Sequence, residues 1–165
     1  MTTTLPVEPQ SNYRLDEVDK AILEALQRDG RISNAELARR VNLSPPATHA
    51  RVRRLEARGY IDSYVTLLDQ EKAGFDMLCF VRVSLARHQP EEVDRFRSVV
   101  LDMPEVLECY HVTGDFDYML KVVIHNRKDL ERFLVARLTS IPGVARVYTS
   151  LVLSEVKSTT VLPLS

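Results

Sequence analysis

Residues 44–61 read SPPATHARVRRLEARGYI. Both ends of this stretch are punctuated as helix boundaries. The Ser44 hydroxyl can accept a hydrogen bond from an orphan N–H of a first helical turn. Pro45 suits the first helical position, where its missing N–H costs nothing and its fixed φ helps. Gly59 stands where the chain must leave the helix, because glycine enters the left-handed region cheaply. Between these stops Thr48, Val52 and Leu55 recur at i, i+4 and i+7 and form one inward stripe. Pro46, Ala47, Ala50, Arg53 and Arg54 then face away from it, with His49 and Arg51 on the flanks. Small residues let a helix approach a duplex closely, and guanidinium groups reach phosphates or the O6/N7 edge of guanine. The stretch is therefore expected to be a DNA-recognition helix. Its expected contacts are Ser44, Pro46, Ala47, His49, Ala50, Arg51, Arg53 and Arg54. A solvated arginine face on an ordinary surface helix is the plain alternative.

What precedes this helix favours the DNA reading. Residues 15–29, LDEVDKAILEALQRD, form a periodic segment. Asp16 is its expected N-cap, and acidic residues in the first turn suit the helix dipole. Val18, Ile22, Ala25 and Leu26 line one face with Leu23 beside them, and Gly30 closes the helix. Ser33-Asn-Ala-Glu36 reads as a capping box, with Glu36 reaching back to the cap. The short helix it opens turns Leu37, Ala38 and Val41 inward and Arg39 and Arg40 outward. Val41-Asn42-Leu43 is a tight turn. The order is helix, short helix, turn, basic helix, which is a helix-turn-helix with a supporting helix. In such units the second helix of the pair enters the major groove.

The whole chain has 165 residues, 45% of them hydrophobic, and a net charge of −1. A packed core is expected, and a generally basic nucleic-acid coat is not. DNA binding must rest on the local arginine cluster. No apolar run approaches membrane-spanning length and no charged-then-apolar leader is seen, so a soluble, cytoplasmic protein without membrane contact is expected. Cys79 and Cys109 are read as buried free thiols rather than a disulfide or a metal pair.

The expected organisation is a loose tail over residues 1–14, the helix-turn-helix over 15–62, a linker over 63–74, a second domain over 75–157, and a C-terminal tail over 158–165. Residues 60–68, YIDSYVTLL, are β-rich and read as a strand leaving the DNA unit. Residues 69–74 are a charged, Gly-terminated connector. Residues 69–165 hold 12 basic and 14 acidic side chains, which argues against a second nucleic-acid surface.

The second domain repeats one grammar: strand 75–86, helix 90–101, strand 106–113, strand 118–125, helix 128–138, strand 144–153. Val93, Phe96, Val99 and Val100 are expected inside the first of these helices. A βαββαβ order with right-handed crossovers gives a ferredoxin-like antiparallel sheet with both helices on one face. The α+β class follows. Met77, Cys79, Val81 and Val83 alternate with Leu78 and Phe80, so the strand is apolar on both faces. A sheet of that kind needs a second cover, and packing on another copy of the chain is expected.

The turn Gly114-Asp115-Phe116-Asp117-Tyr118 is the remaining candidate site. Peptide N–H groups of a glycine turn can hold a carboxylate, and an aspartate can hold an amino group, which together suit a free amino acid. A plain β-turn whose aspartates cap local backbone groups is the alternative. Asp115 and Asp117 lack nearby partners for a metal shell, so neither metal nor cofactor is expected.

Together these motifs resemble the Lrp/AsnC (leucine-responsive/asparagine regulator, feast-famine) family of transcriptional regulators. The resemblance lies in LDEVDKAILEALQRDGRISNAELARRVNLSPPATHARVRRLEARGYI, MPEVLECYHVTGDFDYMLKVVI and IPGVARVY. It implies a winged-type helix-turn-helix followed by a ferredoxin-like regulatory (RAM) domain that pairs sheet to sheet. It implies homodimers assembling further, commonly to octamers, on double-stranded DNA. It also implies a small effector, usually an amino acid, held between regulatory domains of neighbouring subunits. The family's Gly-x-x-Asp-Tyr element falls on Gly114, Asp117 and Tyr118, and Thr149, Ser150, Leu151 and Val152 would lie near the same pocket. Ala50 stands where many relatives carry arginine, and Thr48 where many carry an aliphatic residue. An enzyme reading also exists: siroheme decarboxylases share the two-domain plan, and His111 and His125, with Arg82 or Lys121, would then serve a tetrapyrrole. The chain lacks a P-loop, a nucleophile elbow and an HExxH helix, and its basic helix favours a regulator.

Overall fold

The computed structural model describes residues 14–164, so the expected tail over 1–14 lies almost wholly outside the described residues. Helix α1 spans Glu17–Arg28, α2 Asn34–Arg40 and α3 Pro45–Ala57. Each begins on its expected cap. The side chains of Asp16, Ser33 and Ser44 accept from the N–H groups of Asp19, Glu36 and Ala47 at 2.7, 3.2 and 3.4 Å. Each such cap contributes about 1 kcal/mol. The Glu36 carboxylate pairs with Arg39 and Arg40, so the return half of the capping box gives way to ion pairs within α2. Asn42 turns the chain between α2 and α3 at φ 53°, and Gly59 leaves α3 at φ 73°. Asn34 Nδ2 donates to the Pro45 carbonyl at 2.8 Å and ties the start of α2 to that of α3. Ile22, Leu23, Ala25, Leu37 and Leu55 form the core of this unit.

The expected strand over residues 60–68 does not form. β-rich composition reports a fit to a pleated, half-buried surface, and a strand needs an edge to pair with. Among the described residues the segment finds none. Tyr64 instead donates its hydroxyl to Glu56 at 3.1 Å, while Val65, Leu67 and Leu68 stand exposed. The connector is a compact turn: Ala73 N–H donates to the Asp69 carbonyl and Phe75 N–H to that of Gln70, both at 3.0 Å.

The second unit holds β1 (Met77–Leu85), α4 (Pro90–Leu101), β2 (Val106–His111), β3 (Tyr118–Ile124), α5 (Arg127–Arg132) and β4 (Val144–Leu151). Beyond α5 the helix widens into a π-helical turn, Phe133–Leu138. The sheet order is β2-β3-β1-β4 with antiparallel pairing throughout, the ferredoxin-like arrangement. Cys79, Val81 and Val83 of β1 and Tyr118, Leu120 and Val122 of β3 pack with Phe96, Val100, Phe133 and Leu138 from the helical side. Two expectations fail here. Val99 is exposed, because Phe96 and Val100 carry the i, i+4 stripe and Val99 lies at its rim. Cys109 is exposed, because β2 is an edge strand.

The pairing register fixes the other face. Phe80 lies level with Lys121 and Ser150, and Arg82 with Met119 and Tyr148. These residues point away from the helix-covered core. Phe80, Tyr110 and Tyr148 remain 39%, 54% and 53% exposed.

The chain divides into two compact units, one running to Thr66 and resuming at Ser158, the other Leu67–Lys157. Residues 158–164 are the described part of the expected C-terminal tail. They belong with the helices, and Leu164 packs against their core. Among the described residues no helix is long and apolar enough to cross a membrane.

Candidate nucleic-acid interface and effector loop

The arginines of α3 divide into two groups. Arg51 Nη1 donates to Asp16 Oδ2 at 2.7 Å and to Asp19 Oδ1 at 2.8 Å. Arg54 Nη2 donates to Asp19 Oδ1 at 3.1 Å. Asp19 is 0% exposed. Both arginines therefore reach to α1, which corrects the outward placement expected for Arg54, while Arg51 reaches there from its expected flank. A buried carboxylate must be paired to be tolerated, and guanidinium forks do this well. The sequence held the signal. Asp19, Ile22, Leu23 and Leu26 fall at i, i+3, i+4 and i+7, so an acid sits on the inward face of α1 and calls for a cation. The hydrogen bond from Arg51, joined by the Asp19 N–H, holds the Asp16 carboxyl below the usual carboxylate range.

What remains outward on α3 is Pro46, His49, Ala50 and Arg53, with Ala47 half-buried. The Arg53 side chain is 73% exposed, with Glu56 at 3.7 Å. The Ser44 hydroxyl is engaged in capping. Thr48 is fully buried, and its hydroxyl donates to the Ser44 carbonyl at 3.1 Å. That bond removes the cost of a hydroxyl in the core and explains why threonine is accommodated there.

The 114–118 turn sends its residues in three directions. Gly114 adopts φ 124° with open space where a Cβ would stand, so glycine is required by backbone conformation rather than by crowding. Asp115 is exposed. Phe116 lies toward the open sheet face, with the Arg82 guanidinium 5.6 Å from its ring and 5.5 Å from that of Tyr148. Asp117 accepts from Leu85 N–H at 2.7 Å, and its other oxygen lies 2.7 Å from His88 Nε2. Burial works against its charge, but the His88 and Leu85 hydrogen bonds and the nearby His88 and His111 outweigh it, and its pKa is lowered. Tyr118 is in the core, tilted against Phe96 at 4.5 Å and stacked on His111 at 4.9 Å, and its hydroxyl accepts from Arg97 Nε at 3.3 Å. His88 and Arg97 carried no motif that would have singled them out.

Thr149 and Leu151 pair with Val81 and Cys79 and share the helix side, whereas Ser150 pairs with Phe80 on the open side. Val152 N–H donates to the Leu78 carbonyl at 2.9 Å. Tyr118 is level with Val83 and Val147, so the 149–152 group begins two residues further along β4. Within one chain the 114–118 turn leads into β3 and the 149–152 group belongs to β4, with β1 between them and Arg82 between the rings of Phe116 and Tyr148. The tetrapyrrole set is also scattered. His111 pairs with Tyr118 at one end of β3, and His125 follows the other end, 2.6 Å from the Gly74 carbonyl. Lys121 is bound to Glu108 at 3.1 Å. Among the described residues no cluster of His, Cys, Asp and Glu is suited to a metal.

This geometry has counterparts. A family model for winged helix-turn-helix DNA binding matches residues 15–62, and one for the Lrp/AsnC ligand binding domain matches residues 78–162. The leucine-responsive regulatory proteins of Klebsiella pneumoniae and Escherichia coli are 43% and 42% identical to the chain over 143 residues, 87% of each partner. A transcriptional regulator of Neisseria meningitidis, solved in complex with L-Met, superposes with a TM-score of 0.89 at 38% identity, covering 92% of this chain and 97% of that one. AsnC of Escherichia coli superposes at 0.84 with 27% identity, covering 92% and 100%. The chain belongs to the Lrp/AsnC family: it is a DNA-binding transcriptional regulator responsive to a small effector, and not an enzyme.

Proposed function

We propose that this regulator senses a free amino acid in the cytoplasm, at a site completed only when copies assemble. The separation of the 114–118 turn from the 149–152 strand carries this reading. Each half offers polar groups, the Gly114 turn its N–H groups and Asp115, and β4 its Thr149 and Ser150. A second copy can bring a 149–152 segment to a 114–118 turn. In that site the N–H groups around Gly114 hold the carboxylate, Asp115 takes the ammonium group, and Thr149 and Ser150 line the wall. Asp117 shapes the turn by fixing Leu85, and Tyr118 supports it from the core. The L-Met bound to the Neisseria meningitidis regulator supports an amino acid as the ligand class.

The DNA surface is proposed as Pro46, Ala47, His49, Ala50 and Arg53, with Ser44 at the helix start. Arg51 and Arg54 act through Asp19 by setting the angle of α3. Sheet-to-sheet dimers, burying Phe80 and Tyr148, would assemble to an octamer.

Fluorescence anisotropy on the chain's own upstream DNA, across a salt series and with or without an amino-acid pool, tests the reading. Salt-steep binding shifted by the pool is expected, and splitting the pool then identifies the effector. Binding that no amino acid shifts would overturn the amino-acid assignment.

A further inference from the structure

Residues 158–164 return to the helical unit across a long stretch of sequence and make a specific contact there. Gln27 Nε2 donates to the Leu162 carbonyl at 3.2 Å, and Leu162 N–H donates to Gln27 Oε1 at 2.6 Å. One side-chain amide thus satisfies both backbone groups of one residue, as a neighbouring strand would. Such a pair engages the backbone donor and acceptor of one residue together. Beside it, Leu164 joins the core cluster of α1. A cavity of about 210 Å³ runs along the contact, lined by Leu23, Leu26, Tyr60 and Ile61 together with Leu162 and Leu164. Pro163 stiffens the backbone between the two leucines.

Neither the helix-turn-helix assignment nor the effector site uses this contact. It closes a second covalent path between the units. The first is the stretch from Asp62 to Asp76, which holds no helix or strand. The second runs from the end of β4 at Leu151 through exposed residues, Leu153 and Val156 among them at 91% and 96%, to Leu162. A domain held by one flexible linker samples many orientations, and a second attachment removes many of them.

We propose that residues 158–164 are a latch, anchored by Gln27 on the Leu162 backbone and by Leu164 in the α1 groove, that limits the freedom of the DNA-binding unit. The proposal rests on the reading of the chain as a DNA-binding oligomer. In such an oligomer, binding a palindrome is bivalent. The second recognition helix binds at an effective concentration set by how freely it is tethered. A closed latch raises that concentration. It leaves the contact of one helix with one half-site untouched, because the groove lies on α1 and the loop after α3 rather than on the outward face of α3.

The test compares the full chain with Gln27→Ala and Leu164→Ser. Amide hydrogen exchange at Leu162 reports the latch directly: protection is expected in the parent chain and lost in both variants. Anisotropy at fixed salt then uses a palindromic operator duplex and a duplex carrying one half-site. Both variants should weaken palindrome binding by about 10-fold and leave half-site binding unchanged. Equal losses on both duplexes would reduce the segment to a stabiliser of the helical fold and overturn the proposal. Unchanged binding to both would overturn it as well, as would an unprotected Leu162 amide in the parent. A parent chain that bound neither duplex would instead break the DNA reading, and Leu162 protection alone would then decide whether the latch is closed.

Discussion

The two units place charge and apolar surface in opposite ways. In the helical unit the decisive charge is inside: Asp19 is fully buried and grips Arg51 and Arg54, while the outward face of α3 carries small residues, His49 and one well-exposed arginine. In the sheet unit the charge lies at the surface and apolar groups are left outside with it. Phe80 and Tyr148 stand exposed on the face away from the helices, and Arg82 bridges the rings of Phe116 and Tyr148. The helical unit has closed its core within one chain. The sheet unit has closed one face and left aromatic groups exposed on the other. A buried charge pair specifies how two helices meet, whereas an open aromatic face specifies only that something covers it.

The largest expected effect breaks the helical side of this contrast. Asp19→Ala removes the buried carboxylate shared by Arg51, which keeps Asp16, and by Arg54, whose side chain is 40% exposed. Losing the acceptor of these charged hydrogen bonds costs about 1.5–3 kcal/mol, a large share of what a unit this small can hold. Thermal melting should show the helical unit unfolding early while the sheet unit keeps its own transition. A single unshifted transition would mean that the pair contributes little and that α1 and α3 are held by Ile22, Leu37 and Leu55 alone.

Next comes the open face. Phe80→Glu or Tyr148→Glu should leave the subunit folded, since both side chains are already exposed. Each removes an aromatic group whose burial contributes about 1.5–3 kcal/mol, about 10- to 100-fold in a dimer dissociation constant. Light scattering should show smaller species at the same concentration. Unchanged mass would move the interface away from this face and remove the support it gives to the proposed shared effector site.

How far the sequence could be read differs between the units for physical reasons. Period-2 alternation separates the two faces of a strand, so Val81 and Phe80 were legible as opposite faces but not which of them the helices cover, and the ferredoxin-like arrangement followed from the βαββαβ order. Caps at Asp16, Ser33 and Ser44 were legible because a short side chain at a helix start has one common use. The arginines were not, because a long side chain at a helix flank can swing toward solvent or back over its own stripe. Only the acid on the inward face of α1 decides between these: its helical spacing marks it as inward, but which arginines reach it is a tertiary fact. The strand expected over residues 60–68 failed for a related reason. Composition can mark a segment as suited to pairing, but it cannot supply the edge. The 114–118 turn was legible as a turn. That Asp117 bonds Leu85 and His88, and that Tyr118 enters the core, depended on residues far away in sequence.

The smallest effect sharpens the contrast most. Arg53 and Arg54 are neighbours in sequence with the same chemistry, and the structure gives them different partners. A phosphate contact contributes a slope of about −0.9 to log K against log salt. Arg53→Ala should flatten the slope of operator binding by about that amount and leave the melting temperature unchanged. Arg54→Ala should lower the melting temperature and leave the slope unchanged, because a guanidinium held by Asp19 releases no DNA counterion. If Arg54→Ala flattened the slope instead, the arginine would be leaving Asp19 for a phosphate on binding. The buried carboxylate would then be a store for a DNA contact rather than a fixed brace between α1 and α3, and Asp19→Asn would tighten binding at low salt by releasing that arginine in advance.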